Sequence, residues 1–146
     1  MGIALAEARQ AAELGDCPIG ALIINRRGQI MARAFNRVEA WSNPVAHAEM
    51  LAIMQACQGL SSPRLSGCIL LVTLEPCLMC AGAIAHSRLD GVVFGAADQR
   101  AGAIVSAADA IDLPLAGRTF WHMGGIRSQE CLLELQKFFL KRRSRS

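Results

Sequence analysis

The apolar positions of the chain change period several times, and each change marks an element. Ile3, Leu5, Ala8, Ala11, Ala12 and Leu14 recur at helical spacing, so a helix is predicted from Gly2 to Leu14, ended by Gly15-Asp16. Pro18 to Ile24 reads as a strand, Arg27-Gly28 as a turn and Ile30 to Phe35 as the hairpin partner. A polar stretch with Trp41 and the breaker Ser42-Asn43-Pro44 follows. A second helix is predicted from about Val45 to Cys57, packing through Met50, Leu51, Ile53 and Met54. Gly59 to Ser66 is a loop. Cys68 to Leu74 is an unbroken apolar run, the pattern of a strand buried on both faces. A third helix is predicted to open at about Pro76, a residue type tolerated at a first helical position, and to end near His86-Ser87. Gly91 to Gly95 is a short buried strand, Gly95 to Ala108 a small-residue segment, Leu113 to Gly117 a loop and Arg118 to His122 a strand. After Gly124-Gly125, a last amphipathic helix carries Leu132, Leu133, Leu135, Phe138 and Phe139.

A hairpin followed by alternating strands and helices implies an α/β fold, a mixed sheet with helices on both faces. With no internal repeat or linker, residues 1–146 are expected to form one domain, and the chain is long enough to bury a core. Apolar residues make up 53% and charged residues 18%, which excludes a disordered chain. No apolar run reaches the ~20 residues of a membrane helix. The N-terminus lacks the basic-then-apolar pattern of a secretory signal, so a cytoplasmic location without membrane association is expected. The formal charge of +3 is unevenly spread. The last ten residues hold Lys137, Lys141, Arg142, Arg143 and Arg145 and no acid, whereas the other 136 hold ten basic and twelve acidic side chains. The basicity is therefore a tail over about 137–146, read either as a solvated helix end or as a phosphate-contacting arm.

Two cysteines three apart, Cys77 and Cys80, lie between a strand-like and a helix-like run, where both sulfurs can reach one helical turn. A helix N-terminus favours thiolate there, and thiolates that close together favour a cation. A lone C-x-x-C is equally compatible with a redox pair, half a zinc finger or chance. Here His47-Ala48-Glu49 opens the preceding helix and Pro76 stands directly before Cys77. One imidazole and two thiolates make a Cys₂His set, a catalytic type of zinc site with a fourth position open to water. Glu49 is the spare carboxylate that such a site needs to move protons, and a purely structural zinc module has no use for it. The pattern H-x-E…P-C-x-x-C is the signature of zinc-dependent nucleobase deaminases. The remaining Cys17, Cys57, Cys68 and Cys131, each isolated in an apolar setting, read as buried free thiols.

The chain resembles the bacterial tRNA-specific adenosine deaminases of the cytidine/deoxycytidylate deaminase superfamily, which convert the wobble adenosine of an anticodon to inosine. The resemblance rests on Asp16 to Ala21, Phe35-Asn36-Arg37, Ala46 to Glu49, Thr73 to Gly82, His86-Ser87-Arg88, Val92 to Ala96 with Asp98, and the Phe138-Phe139 end. Val45 stands where that family usually has threonine, Arg100 replaces a lysine, and Ile104-Val105 replace smaller residues. The resemblance implies a three-layer α/β/α cytidine-deaminase-like fold with about five strands. It also implies one zinc per subunit, a tRNA anticodon stem-loop as partner, and a homodimer that completes each active site.

These readings give each residue a role. His47, Cys77 and Cys80 are the expected zinc ligands and Glu49 the expected base, then acid, of hydrolytic deamination. Asn36 is placed to hydrogen-bond the base or ribose and the backbone at Ala48 to donate to the substrate; Pro76, Asp98 and Arg100 join them as expected substrate-binding positions. His86 and His122 read as structural. Trp41 and Phe139 either pack or stack on bases. The alternative function is deamination of a free guanine- or cytosine-type base or nucleoside, which uses the same zinc chemistry and differs in the rim.

Overall fold

The computed structural model describes residues 1–108 and 119–144. Its elements run α1 (Gly2–Glu13), β1 (Gly20–Asn25), β2 (Ile30–Phe35), α2 (Ala48–Leu60), β3 (Cys68–Leu74), α3 (Leu78–His86), β4 (Gly91–Ala96), β5 (Trp121–Met123) and α4 (Ser128–Arg143). The strands form one sheet in the order β2-β1-β3-β4-β5. β1 pairs antiparallel with β2 and β3, while β3–β4 and β4–β5 are parallel, so the sheet is mixed. α1 and α4 touch each other, and α2 touches α3. The strands alternate accordingly. Gly20 turns toward α1, where a Cβ would overlap the Ala4 carbonyl, and Gly95 turns toward Cys131 of α4. Ala21, Ile23, Leu70, Val72, Val92 and Phe94 join the core shared with α2 and α3. This is the expected three-layer α/β/α arrangement. No helix among the described residues is long and apolar enough to cross a membrane. The predicted loop Leu113–Gly117, the start of the predicted strand at Arg118, and the tail residue Arg145 lie outside the described residues.

Three sequence-level details change. α2 meets the sheet through Ala48, Ala52, Ala56 and Ile53, while Met54 is 54% exposed. Alanines four apart let the helix backbone approach the strands closely, and a helix apolar on nearly all sides gives periodicity little to distinguish its faces. α2 and α3 start three and two residues later than predicted, with His47 and Cys77 as their N-caps. α4 buries Cys131 but leaves Leu132, Leu133, Phe139 and Leu140 exposed.

Two buried carboxylates tie loops to the sheet. Asp16 is fully buried. Its Oδ1 accepts from Asn36 Nδ2 (3.2 Å) and the Glu39 amide (2.8 Å), and its Oδ2 accepts from the Ala40 amide (2.9 Å). Glu75 is 3% exposed. Its Oε1 accepts from the amides of Ile104, Val105 and Ser106, and its Oε2 from the Asp98 amide and the Ser106 hydroxyl. A Cβ at position 102 would overlap this carboxylate, so glycine is required there. The Ala103 amide adds a bond to the Pro76 carbonyl (2.8 Å). The segment 98–106 thus hangs on the two residues immediately before Cys77.

Burial alone would raise the Glu75 pKa, but the hydrogen bonds from Ser106, Val105 and Asp98 together hold it below its ordinary 4.5. A folded-state pKa depressed in this way gives stability that is complete above the unfolded value and lost as pH falls through the folded one. Glu75→Gln turns an acceptor into a donor among donors, so it should destabilise the protein by more than about 2 kcal/mol near neutral pH. The gap in melting temperature between wild type and variant, followed by thermal denaturation, should narrow as pH drops below 4.5. A gap constant down to strongly acidic pH would show that the charge of Glu75 is not what anchors the segment.

Candidate metal centre and active site

The hairpin β1–β2 leads through a turn-rich segment to α2, and β3 leads through Glu75-Pro76 to α3. His47 is the N-cap of α2, with extended φ of −69° and ψ of 149°. Cys77 is the N-cap of α3, with φ of −76° and ψ of 175°. Cys80, three residues on, is fully buried in the first turn of that helix. Both helices therefore point their N-termini at one place, where partial positive charge favours thiolate and oxyanion.

There His47, Cys77 and Cys80 bring one donor atom each within 4.8 Å of one another. His47 Nδ1 stands 3.7 Å from Cys77 Sγ and 3.6 Å from Cys80 Sγ. A nitrogen at ~2.05 Å and a sulfur at ~2.3 Å from a tetrahedral zinc would stand about 3.6 Å apart, so the observed spacings fit one zinc ion. The protonation pattern agrees. A hydrogen bond from Cys80, opposed by burial and aided by His47, lowers the Cys77 pKa to about 4. The Cys80 thiol is pushed far up, first by donating to Cys77 and then by burial. His47 is raised by its bond to Cys77, against burial. The protons shared by these three groups are those that a divalent cation displaces.

Glu49 lies in the first turn of α2, two residues from His47, and is 4% exposed. Its Oε2 is the one buried side-chain oxygen or nitrogen without a hydrogen-bond partner among the described residues. Burial raises its pKa to about 7, against the opposing effects of its own backbone amide and the charge of His47. The carboxylate is held by its own backbone amide and by the Cys80 thiol, yet Oε2 stays unspent in a buried setting where an unpaired polar atom is costly.

The other expected site residues are distributed around this centre. Ala48 is fully buried as the first residue of α2, and Pro76 is buried next to Cys77. Asn36 is 5% exposed and held by Asp16. Because a carboxylate only accepts, the Asn36 amide must turn its Nδ2 to Asp16. The Arg37 amide donates to Ala46 O (3.0 Å), which fixes this segment beside His47. Asp98 Oδ1 caps the amides of Arg100 and Ala101 (2.9 and 3.2 Å), so that carboxylate shapes its own turn, and the Arg100 side chain is exposed. His86 and His122 are both exposed. Sequence reading passed over Asp16 and Glu75 as anchors of the two flanking loops. Their signal is weak, because all but two of their donors are backbone amides and every donor lies at least 20 residues away. All six cysteines are free thiols.

Comparison with known proteins agrees with this geometry. The cytidine and deoxycytidylate deaminase zinc-binding region matches residues 1–96. The tRNA-specific adenosine deaminase of Aquifex aeolicus is 43% identical over 143 residues, covering 97% of this chain and 93% of that protein. A solved structure from a study of A-to-I editing by tRNA:A34 deaminases at the wobble position of transfer RNA superposes with a TM-score of 0.89 at 38% identity, covering 92% of this chain and 97% of that one. The guanine deaminase of Bacillus subtilis superposes over 66% of this chain and 61% of its own, with a TM-score of 0.63 at 38% identity. With a Cys₂His cluster, a buried carboxylate beside it and these relatives, the chain belongs to the cytidine and deoxycytidylate deaminase family, in its tRNA-specific adenosine deaminase branch.

Proposed function

We propose that this chain catalyses the hydrolytic deamination of adenosine to inosine at the wobble position of a tRNA anticodon. The observation that carries the chemistry is the unpartnered Oε2 of Glu49 beside the His47–Cys77–Cys80 cluster. The relatives, similar over almost their whole length, support adenosine in tRNA as the substrate.

His47, Cys77 and Cys80 would hold one zinc ion, which supplies the Lewis acidity that makes water nucleophilic near neutral pH. Glu49 then does the proton work. Burial raises its pKa above the ordinary carboxylate range, which makes it a better base for taking a proton that it must later return. Its Oε2 takes a proton from the attacking water, passes it to the purine ring nitrogen, and takes the second proton to the departing amino group. Water and adenosine leave as inosine and ammonia, and the carboxylate is regenerated. Asn36, fixed by Asp16, and the backbone at Ala48 orient the base. Pro76 closes the wall beside Cys77, and Asp98 and Arg100 form the rim carried by the Glu75-anchored segment. The same reading places residues 1–146 in one domain, a second copy of the chain against the site as a homodimer, and the enzyme in the cytoplasm, where tRNA and reduced thiols coexist. Lys141 and Arg142 at the basic end of α4 line a groove with Phe138, but Glu13 and Glu39 line it too and balance their charge, so that groove adds nothing to the case for RNA.

Glu49→Gln should keep zinc, by metal analysis, and keep its melting temperature, while single-turnover deamination of an anticodon stem-loop falls at least ~10²-fold. Loss of zinc from this variant would make the carboxylate a ligand and remove it from the proton path. Cys77→Ser should lose most of its zinc and melt earlier, because metal binding is coupled to folding; a Cys77→Ser protein with a full complement of zinc would break the ligand assignment. In parallel assays, the wild type should deaminate the stem-loop and leave free guanine and cytosine essentially unreacted. The opposite result would favour a free-base enzyme, the reading that the partial likeness to guanine deaminase supports.

A further inference from the structure

One cationic, aromatic stretch beside the site has no part in the chemistry above. Arg37 Cζ stands 4.3 Å from the centroid of the Phe35 ring and 5.1 Å from that of Trp41. The guanidinium is held by two rings whose faces attract it. None of the ion pairs among the described residues includes Arg37. The stretch is stiffened by its backbone, with the Trp41 amide bonded to Arg37 O (2.9 Å) and the Asn43 amide to Val38 O (3.0 Å). Asn36 precedes it, and the Arg37–Ala46 bond joins it to the residue before His47.

Beside Arg37 a groove of about 330 Å³ runs between β2, an edge strand of the sheet, and α2. Arg33, Phe35, Arg37, Trp41, Leu51 and Met54 line it, and no acidic side chain does. Arg33 is partly neutralised by Glu7 at 3.6 Å, so Arg37 supplies the uncompensated charge. Trp41 is 53% exposed, with ring surface open beyond its contact with Arg37.

We propose that this groove binds the single-stranded RNA next to the target adenosine, one neighbouring base stacking on Trp41 and its phosphate meeting Arg37. The inference deepens the wobble-adenosine reading and rests on it. A base taken out of a stacked loop costs a few kcal/mol, and an RNA enzyme recovers that outside the pocket. An aromatic face serves any base, and an arginine serves any phosphate, so the groove holds the strand without reading its sequence. Arg37, balanced by no acid in the lining, is the charge that an occupant has to match. The charge of the groove therefore favours a polyanion.

The test uses the zinc-loaded full chain and a synthetic RNA stem-loop with adenosine at the wobble position. In a Trp121→Phe background, which isolates Trp41 as fluorophore, adding the stem-loop should quench the emission. Trp41→Ala should raise Kd and KM roughly 5- to 100-fold with the loss falling on KM rather than kcat, and Trp41→Phe should restore most of it. Arg37→Gln should flatten the salt dependence of binding by ~0.7 in the log–log slope, as expected for one lost phosphate contact to a single strand. An active wild type with no quench, and variants with unchanged KM and slope, would overturn the proposal. So would variants that change sedimentation mass but not RNA affinity, which would make the groove an interface between copies. Quenching by a stem-loop that is bound but never deaminated would support the groove and overturn the wobble-adenosine reading.

Discussion

Three donor atoms from two helices can share one metal only if both helices begin at the same point. That requirement governs the layout of the molecule. His47 and Cys77 are the N-caps of α2 and α3, so the positive ends of two helix dipoles face the cluster. α3 follows β3 after a three-residue link, which ties Cys77 and Cys80 to the central strands. α2 must lie low on the same face to bring His47 into reach, and the alanines at 48, 52 and 56 permit that approach. A larger residue at any of them would lift α2 off the sheet and move His47 away from both sulfurs.

The thiolate of Cys77 and the carboxylate of Glu49 are shifted in opposite directions, and the fold holds both. Burial drives the Glu49 pKa up to about 7, while Cys77 is drawn down to about 4 within the same small volume. Hydrogen bonding from Cys80 accounts for the second and desolvation for the first. Two acidic groups driven apart by different environments within one small volume are a feature of sites built for chemistry rather than for packing.

Much of this was legible in the sequence. Ile30–Phe35 and Cys68–Leu74 form strands with the bounds that their apolar runs predict. His47, Cys77 and Cys80 come together as their spacing implies, because residue types that bind metals leave a local signature. The helix starts at Ala48 and Leu78 were misplaced, since the N-cap positions are set by the shared site rather than by helix propensity. The face of α2 was misread because its packing is done by alanines, which carry little hydrophobic contrast. Asp16 and Glu75 were illegible as anchors. Asx- and Glu-to-amide bonds across 20 or more residues involve donors that every sequence possesses, so no residue type announces them.

The way Glu75 holds its loop has a consequence for how such an enzyme can change over generations. Of its five donors, four are main-chain amides, from Asp98, Ile104, Val105 and Ser106. The anchor therefore grips the loop without regard to most of the side chains it displays, and demands only glycine at 102 and a hydroxyl at 106. Arginine in place of lysine at Arg100, or a larger apolar residue at Val105, leaves that attachment untouched. The exposed side chains of the segment can drift while Cys77, two residues beyond the anchor, stays in place. A scaffold fastened by its backbone is one whose recognition surface natural variation can rewrite without first having to rebuild the catalyst.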